Sequence, residues 1–194
     1  MQQLFDEFDK IKNTRIEFDT KNIYDAREIV NRVEDNKQFI FIMNTIRHAN
    51  DVYNELKTRY KKEECFLISG NFCAADKKKI IAEVNSRLRQ GKPVYLSATS
   101  CVEAGVDFDF PCGAREYAPL DSVIQAMGRV NRNGRFKGYF IVFKYNERTI
   151  KDYPSESYMY ASRTTEMLSE KEDFSNIYAI DNMNLPLLKN SLTP

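Results

Sequence analysis

Short, unbroken apolar runs alternate along this chain with longer stretches whose apolar residues recur at helical spacing, and few folds accept that alternation. Phe39-Ile40-Phe41-Ile42-Met43 carries no polar residue, as expected of a strand covered on both faces; a strand with one wet face alternates polar and apolar instead. From Ala49 to Tyr60, Val52, Tyr53 and Leu56 sit at helical spacing among charges. Cys65-Phe66-Leu67-Ile68 reads as a strand. Ala74 to Gln90 reads as a helix with Ile80, Ile81, Val84 and Leu88 on one side and Gly91 ending it. Val94 to Ala98 is a further strand, Ala114 to Tyr117 a short one, Leu120 to Met127 a helix, and Gly138 to Phe143 the strand that closes the sheet. Parallel strands need a crossover packed on a sheet face. The expected fold is therefore α/β, a three-layer sandwich with a mostly parallel sheet flanked by helices. Residues 1–22 are expected to be a polar, helical lead-in and 23–146 the sheet domain. Residues 147–194, where the alternation stops, are expected to be a C-terminal helical extension. There Tyr153-Pro154-Ser155 reads as a turn and Glu156 to Lys171 as a helix, with Tyr158, Met159, Met167 and Leu168 packing back on the sheet.

A length of 194 with 42% hydrophobic residues is enough for one good core. Net charge is only +1, so any grip on nucleic acid must come from local patches. The cysteines at 65, 73, 101 and 112 lack paired short spacing, and His48 is the only histidine, so no zinc-site pattern is present. Free thiols in a reducing compartment are expected. Apolar runs fall short of the roughly 20 residues of a membrane helix, and the polar amino terminus is no signal peptide. The expectation is a cytoplasmic protein with no membrane contact and no metal ligands of its own.

Ligands of open parallel sheets gather beyond the carboxyl ends of the strands. Asn44, Thr45, Ser69, Asn71, Thr99 and Ser100 fall at that rim. Their small hydroxyl and amide groups suit contacts to phosphate and sugar oxygens, which position a strand without reading its bases. Each taken singly suits a helix cap or turn equally. Lys77, Lys78, Lys79, Arg87, Arg89 and Lys92 form either a basic strip near this rim or a solvated helix face, and Arg135 with Lys137 adds charge further on.

Two further segments carry chemistry. In Val123-Ile124-Gln125-Ala126-Met127-Gly128-Arg129-Val130-Asn131-Arg132, two arginines three apart follow a glutamine and a glycine. Guanidinium forks stay charged and bind phosphate oxygens in pairs. The other, Val94 to Thr99 leading into Ser100-Cys101-Val102-Glu103-Ala104-Gly105-Val106-Asp107, is strand, polar turn, glycine, then acid. Gly105 permits a sharp bend or close approach. Asp107 suits a ribose hydroxyl, an arginine, or a plain turn.

Together these segments resemble motifs V and VI of superfamily 2 helicases, which lie on the second of two RecA-like domains. Glu103 to Asp107, followed by Ala118-Pro119-Leu120-Asp121-Ser122-Val123-Ile124-Gln125 and Gly128-Arg129-Val130-Asn131-Arg132-Asn133-Gly134, is similar to the helicase-nuclease of type I CRISPR interference. The similarity runs from about Phe39 to about Phe143. Phe41 to Ala49 resembles motif IV. Ser69-Gly70-Asn71-Phe72 stands where the family has a loop touching the nucleic-acid backbone, although that loop usually begins with histidine and carries a basic residue. The resemblance implies a RecA-like fold in which Arg129 and Arg132 act as arginine fingers and Gln125 orders the attacking water or the fingers. Gly105 and Asp107 would complete the nucleotide side, with Asp107 on the ribose. All of these are expected on one strand-end surface. It also implies ATP with Mg2+, held mainly by a first RecA-like domain absent from this chain, and a track of single-stranded DNA at a target bound by the CRISPR surveillance complex.

Two apparent matches are set aside. Asp6-Glu7-Phe8-Asp9 imitates a magnesium-holding acidic box but follows no apolar strand, and Ser97-Ala98-Thr99 runs directly into motif V. A phosphate-cradling loop needs a glycine-rich turn ending in Lys-Ser or Lys-Thr, whereas Gly91-Lys92 is followed by Pro93. One histidine does not supply the family's nuclease cluster. The expectation is an excised or separately encoded second helicase domain that completes an ATPase site with a partner and does not hydrolyse ATP alone. Two rivals remain, half of a general RNA or DNA helicase without a CRISPR role and a non-enzymatic nucleic-acid-binding module.

Overall fold

A computed structural model describes residues 14–32, 36–103 and 105–146. The element order is β1 (Thr14–Tyr24), α1 (Ala26–Asn31), β2 (Gln38–Met43), α2 (Ile46–Arg59), β3 (Cys65–Ile68), α3 (Ala74–Arg89), β4 (Val94–Thr99), β5 (Cys112–Glu116), α4 (Leu120–Met127) and β6 (Gly138–Tyr145). Single 3-10 turns at Lys62–Glu64 and Ser100–Val102 precede β3 and follow β4. The strands form one sheet in the order β1-β6-β5-β2-β4-β3, with every pairing parallel.

The pleat divides β2 between two cores. Phe39, Phe41 and Met43 join Ile29 and Val30 of α1 and Ala49, Val52 and Leu56 of α2. Ile40 and Ile42 face the other way, joining Val84 of α3, Val102, and Val123, Ala126 and Met127 of α4. The result is the expected three-layer α/β arrangement. All six residues of β2 are buried, and each of the five apolar side chains from Phe39 to Met43 contributes about 1.5–3 kcal/mol relative to exposure. Ser97, fully buried in β4, is satisfied by donating to Ala49 O of α2 at 2.8 Å.

The amino-terminal boundary differs from expectation. Among the described residues the sheet starts with β1 at Thr14, so the division at 22/23 falls inside that strand. This strand is at a sheet edge and reads as polar because only one set of its side chains is apolar. Ile16 and Phe18 pack on the α3–α4 core, while Glu17 accepts from Tyr139 at 3.0 Å and pairs with Arg32 at 2.5 Å. The register shifts between Asp19 and Ile23, where Asn22 bonds back to Asp19. Helix α1 was not anticipated; its capping box, Asp25 with Glu28, closes at 2.8 Å in both directions. β6 lies inside the sheet, and β1 and β3 are its edges. The lead-in ahead of Thr14 and the expected extension with its helix from Glu156 to Lys171 lie outside the described residues.

Candidate functional site

Helix α4 runs from the carboxyl end of β5 back across the sheet, so the arginine segment that follows it returns to the strand starts. Phe110 N donates to Arg129 O at 3.0 Å and Asn131 N to Phe110 O at 2.7 Å, a single parallel bridge that sets Val130 beside Phe110. Phe110 lies just ahead of β5, and Asn131 reaches Thr14, the first residue of β1. For the loop at Val130 and Asn131, which leads into Arg132, the expectation of a place at the carboxyl rim is therefore corrected. Topology puts the arginine loop and the rim at opposite ends of the strands.

The two arginines do different things. Arg129 Nε donates to Val102 O at 3.1 Å and its Nη2 to Glu103 O, so it fastens the turn after β4 to the end of α4. Arg132 ion-pairs with Asp107 at the surface, the two side chains being 41% and 87% exposed. A charge-assisted bond to a half-buried carbonyl is worth about 1.5–3 kcal/mol, while an exposed ion pair is worth about 0–1 kcal/mol. Arg132 exchanges its partner easily and Arg129 does not. Gly105 holds φ at 73°, a left-handed conformation that favours glycine, and Gln125 is exposed on α4. Next to Arg132, Asp109 accepts from Asn133 at 2.7 Å and from Arg135 at 3.1 Å.

At the carboxyl rim the six expected residues do come together, since Met43 pairs with Thr99 and Ile68 with Ala98 in adjacent strands. Their side chains are not equally available. Asn44 is spent on structure: its Nδ2 donates to Tyr117 O at 2.8 Å and its Oδ1 accepts from Arg115 at 2.5 Å. Thr45 caps α2, accepting from His48 N at 3.1 Å. Ser69 and Thr99 are buried, and Thr99 Oγ1 donates to Cys101 Sγ at 3.3 Å. Only Asn71 and Ser100 of the six are exposed. The basic strip is thinner than the sequence suggests, because Arg87 pairs with Glu83 at 3.3 Å, donates to Glu63 O at 2.8 Å and lies over Phe66.

Beneath the rim is a buried polar cluster that sequence reasoning missed. Arg115 is fully buried in β5, with Nε 2.9 Å from Glu103 Oε1 and Nη1 donating to Glu116 O at 3.0 Å. Glu116, also fully buried, accepts from Asn44 N at 2.8 Å and lies 3.0 Å from His48 Nδ1 on α2. Burial pushes the Glu103 carboxyl above its ordinary value while Arg115 pulls it down. The available signal was adjacent opposite charges, Arg115-Glu116, inside a short strand; buried charges persist when paired. Among the described residues, no group of three or more His, Cys, Asp or Glu is placed to hold a metal ion. No helix there is long and apolar enough to cross a membrane.

Among the described residues, a parallel six-stranded sheet covered on both faces, with a glycine turn fastened to a Gly-Arg-Val-Asn-Arg loop, makes an α/β fold of RecA-like type. The chain belongs to the family described as CRISPR-associated nuclease/helicase Cas3, C-terminal, whose match covers residues 35–135, just over half of the sequence. It is 28% identical over 97 residues to the CRISPR-associated nuclease/helicase Cas3 of Methanothermobacter thermautotrophicus, a match covering 50% of this chain and 11% of that one. The chain thus spans a small part of that relative. Among solved structures, T. fusca Cas3 superimposes with a TM-score of 0.63 at 16% identity, over 80% of this chain and 21% of that one. The C-terminal domain of the DEAD-box protein Dbp5 gives 0.56 at 18% identity, over 82% and 87%. At such identities the likeness is one of fold.

Proposed function

We propose that this chain works as the second RecA-like domain of an ATP-dependent superfamily 2 helicase in CRISPR interference, lending Arg132 across a cleft to a nucleotide held by a first RecA-like domain. The observation that carries this reading is the surface pair Arg132–Asp107, a half-exposed guanidinium whose partner is almost wholly in solvent. Its fork suits the oxygens of a terminal phosphate, and swapping Asp107 for that phosphate costs at most about 1 kcal/mol. Bound ATP with Mg2+ would supply the phosphoryl bond whose cleavage ends the contact. Arg129 then serves as a strut rather than a second finger, and exposed Gln125 faces the same cleft. Asp107 anchors Arg132 when the domains are apart. Support also comes from T. fusca Cas3, whose structure is known with AMPPNP.

The rim would meet one strand of nucleic acid through exposed Ser100 and Asn71, with Thr45 and Asn44 shaping the turn beneath. Single-stranded DNA and a surveillance complex are the partners this reading favours, since a fold neighbour comes from a CRISPR RNA-guided surveillance complex before nicking. Separate edges for nucleotide and track suit a motor, because closing a cleft at one edge moves the other as a rigid body. The test is ATP turnover by this chain combined with a matching first domain. Arg132→Ala is expected to lower kcat by about 10³-fold or more, the usual worth of an arginine finger. Unchanged turnover would remove the finger role.

A further inference from the structure

Asn131 stands between the two arginines, is fully buried, and holds φ at 46°, a left-handed conformation that non-glycine residues seldom adopt. Its side chain fastens the loop that follows it. Oδ1 accepts from Phe136 N at 2.8 Å, and Nδ2 donates to Phe136 O at 2.9 Å and to Thr14 Oγ1 at 3.1 Å. Gly134 N donates to Asn131 O at 2.8 Å, closing a turn inside the loop. One amide therefore clamps both ends of residues 131–136 and ties them to the first residue of β1. Room for this exists because residue 138 has no side chain: a Cβ there would lie 2.5 Å from Thr14 Oγ1 and 3.0 Å from Asn131 Cβ. Arg132 is the next residue along the chain, and its direction follows from the backbone that Asn131 fixes.

We propose that Asn131 is a positioning residue for Arg132, holding the loop in the shape that presents the guanidinium outward before any nucleotide arrives. The inference rests on the functional reading above. A loop held only by the weak surface pair of Arg132 with Asp107 would reorganise once that pair exchanged for phosphate. The Asn131 clamp remains intact through the exchange. A purely structural lock would affect stability; a positioning residue affects kcat with little change in substrate affinity.

The test compares variants in ATP turnover by this chain combined with a matching first domain, with Arg132→Ala as reference. Asn131→Gly tolerates the positive φ and deletes the clamp. Its kcat is expected to fall about ten- to a hundredfold while KM for ATP stays within about threefold, the mark of a misplaced catalytic group. Retained kcat in a folded Asn131→Gly protein, or a loss confined to KM, overturns the inference while leaving the finger reading intact whenever Arg132→Ala is inactive. If Arg132→Ala keeps full turnover, the functional reading fails and this one with it. Should Asn131→Gly not fold, Thr14→Val decides, since it removes only the tie to β1: a lower kcat at unchanged KM supports the clamp, and an unchanged kcat overturns it.

Discussion

Arg129 and Arg132 are alike in chemistry and three apart in sequence, yet their surroundings assign them opposite tasks. Val102 O and Glu103 O hold the first, and a solvent-exposed carboxylate holds the second. The thiols divide in the same way. Burial pushes Cys65 up to about 11 from 9.0 and raises Cys112 as well, while Cys73 is exposed at the start of α3. At pH 8 a thiol-alkylating reagent should label Cys73 first and reach Cys65 and Cys112 only on unfolding, as peptide mapping would reveal; early labelling of Cys65 would contradict the burial. Cys65 also makes stability depend on pH. Its thiol is held protonated in the fold, so its contribution is complete below pH 9 and is lost as pH rises through about 11. Sequence could mark two guanidinium forks and four cysteines. It could not reveal which carbonyls lie under Arg129, because that depends on the turn at Val102 and Glu103 meeting the end of α4 in space.

At the scale of elements, the long apolar runs were legible because a strand buried on both faces has no polar alternative. The edge strand β1 and the helix α1 were not. β1 alternates apolar with charged residues and is held by its neighbour β6, and α1 spans only Ala26–Asn31. The junction between β5 and the arginine loop is tight at Gly113. A Cβ there would stand 2.6 Å from Val130 Cγ2 and 2.9 Å from Ile40 Cγ2. Gly113→Ala should therefore destabilise the protein by about 1–3 kcal/mol through overpacking, read as a lower denaturant midpoint at unchanged slope. An unshifted midpoint would mean that Val130 does not pack on β5 as described.

Across the whole molecule, the strands separate two surfaces. The rim after β2, β4 and β3 carries Ser100 and Asn71, and the strand-start edge carries the arginine loop. The sequence showed both sets of residues but placed them together, since the direction of the short helix α4 decides where its carboxyl end arrives. Between the surfaces, contacts run from Arg129 through the backbone of Glu103, its carboxylate and Arg115 to Asn44, Glu116 and His48. No single change of register or length in the sequence announces this buried path. A domain that lends a guanidinium to another domain's nucleotide must bind that domain more tightly when the nucleotide is present. The direct measurement is the affinity of this chain for a matching first domain, with and without a non-hydrolysable ATP analogue. The account predicts that the analogue tightens binding about tenfold or more for the natural sequence and not for Arg132→Ala, since a phosphate–guanidinium contact contributes about 1.5–3 kcal/mol. Equal tightening in both proteins, or none in either, would contradict it.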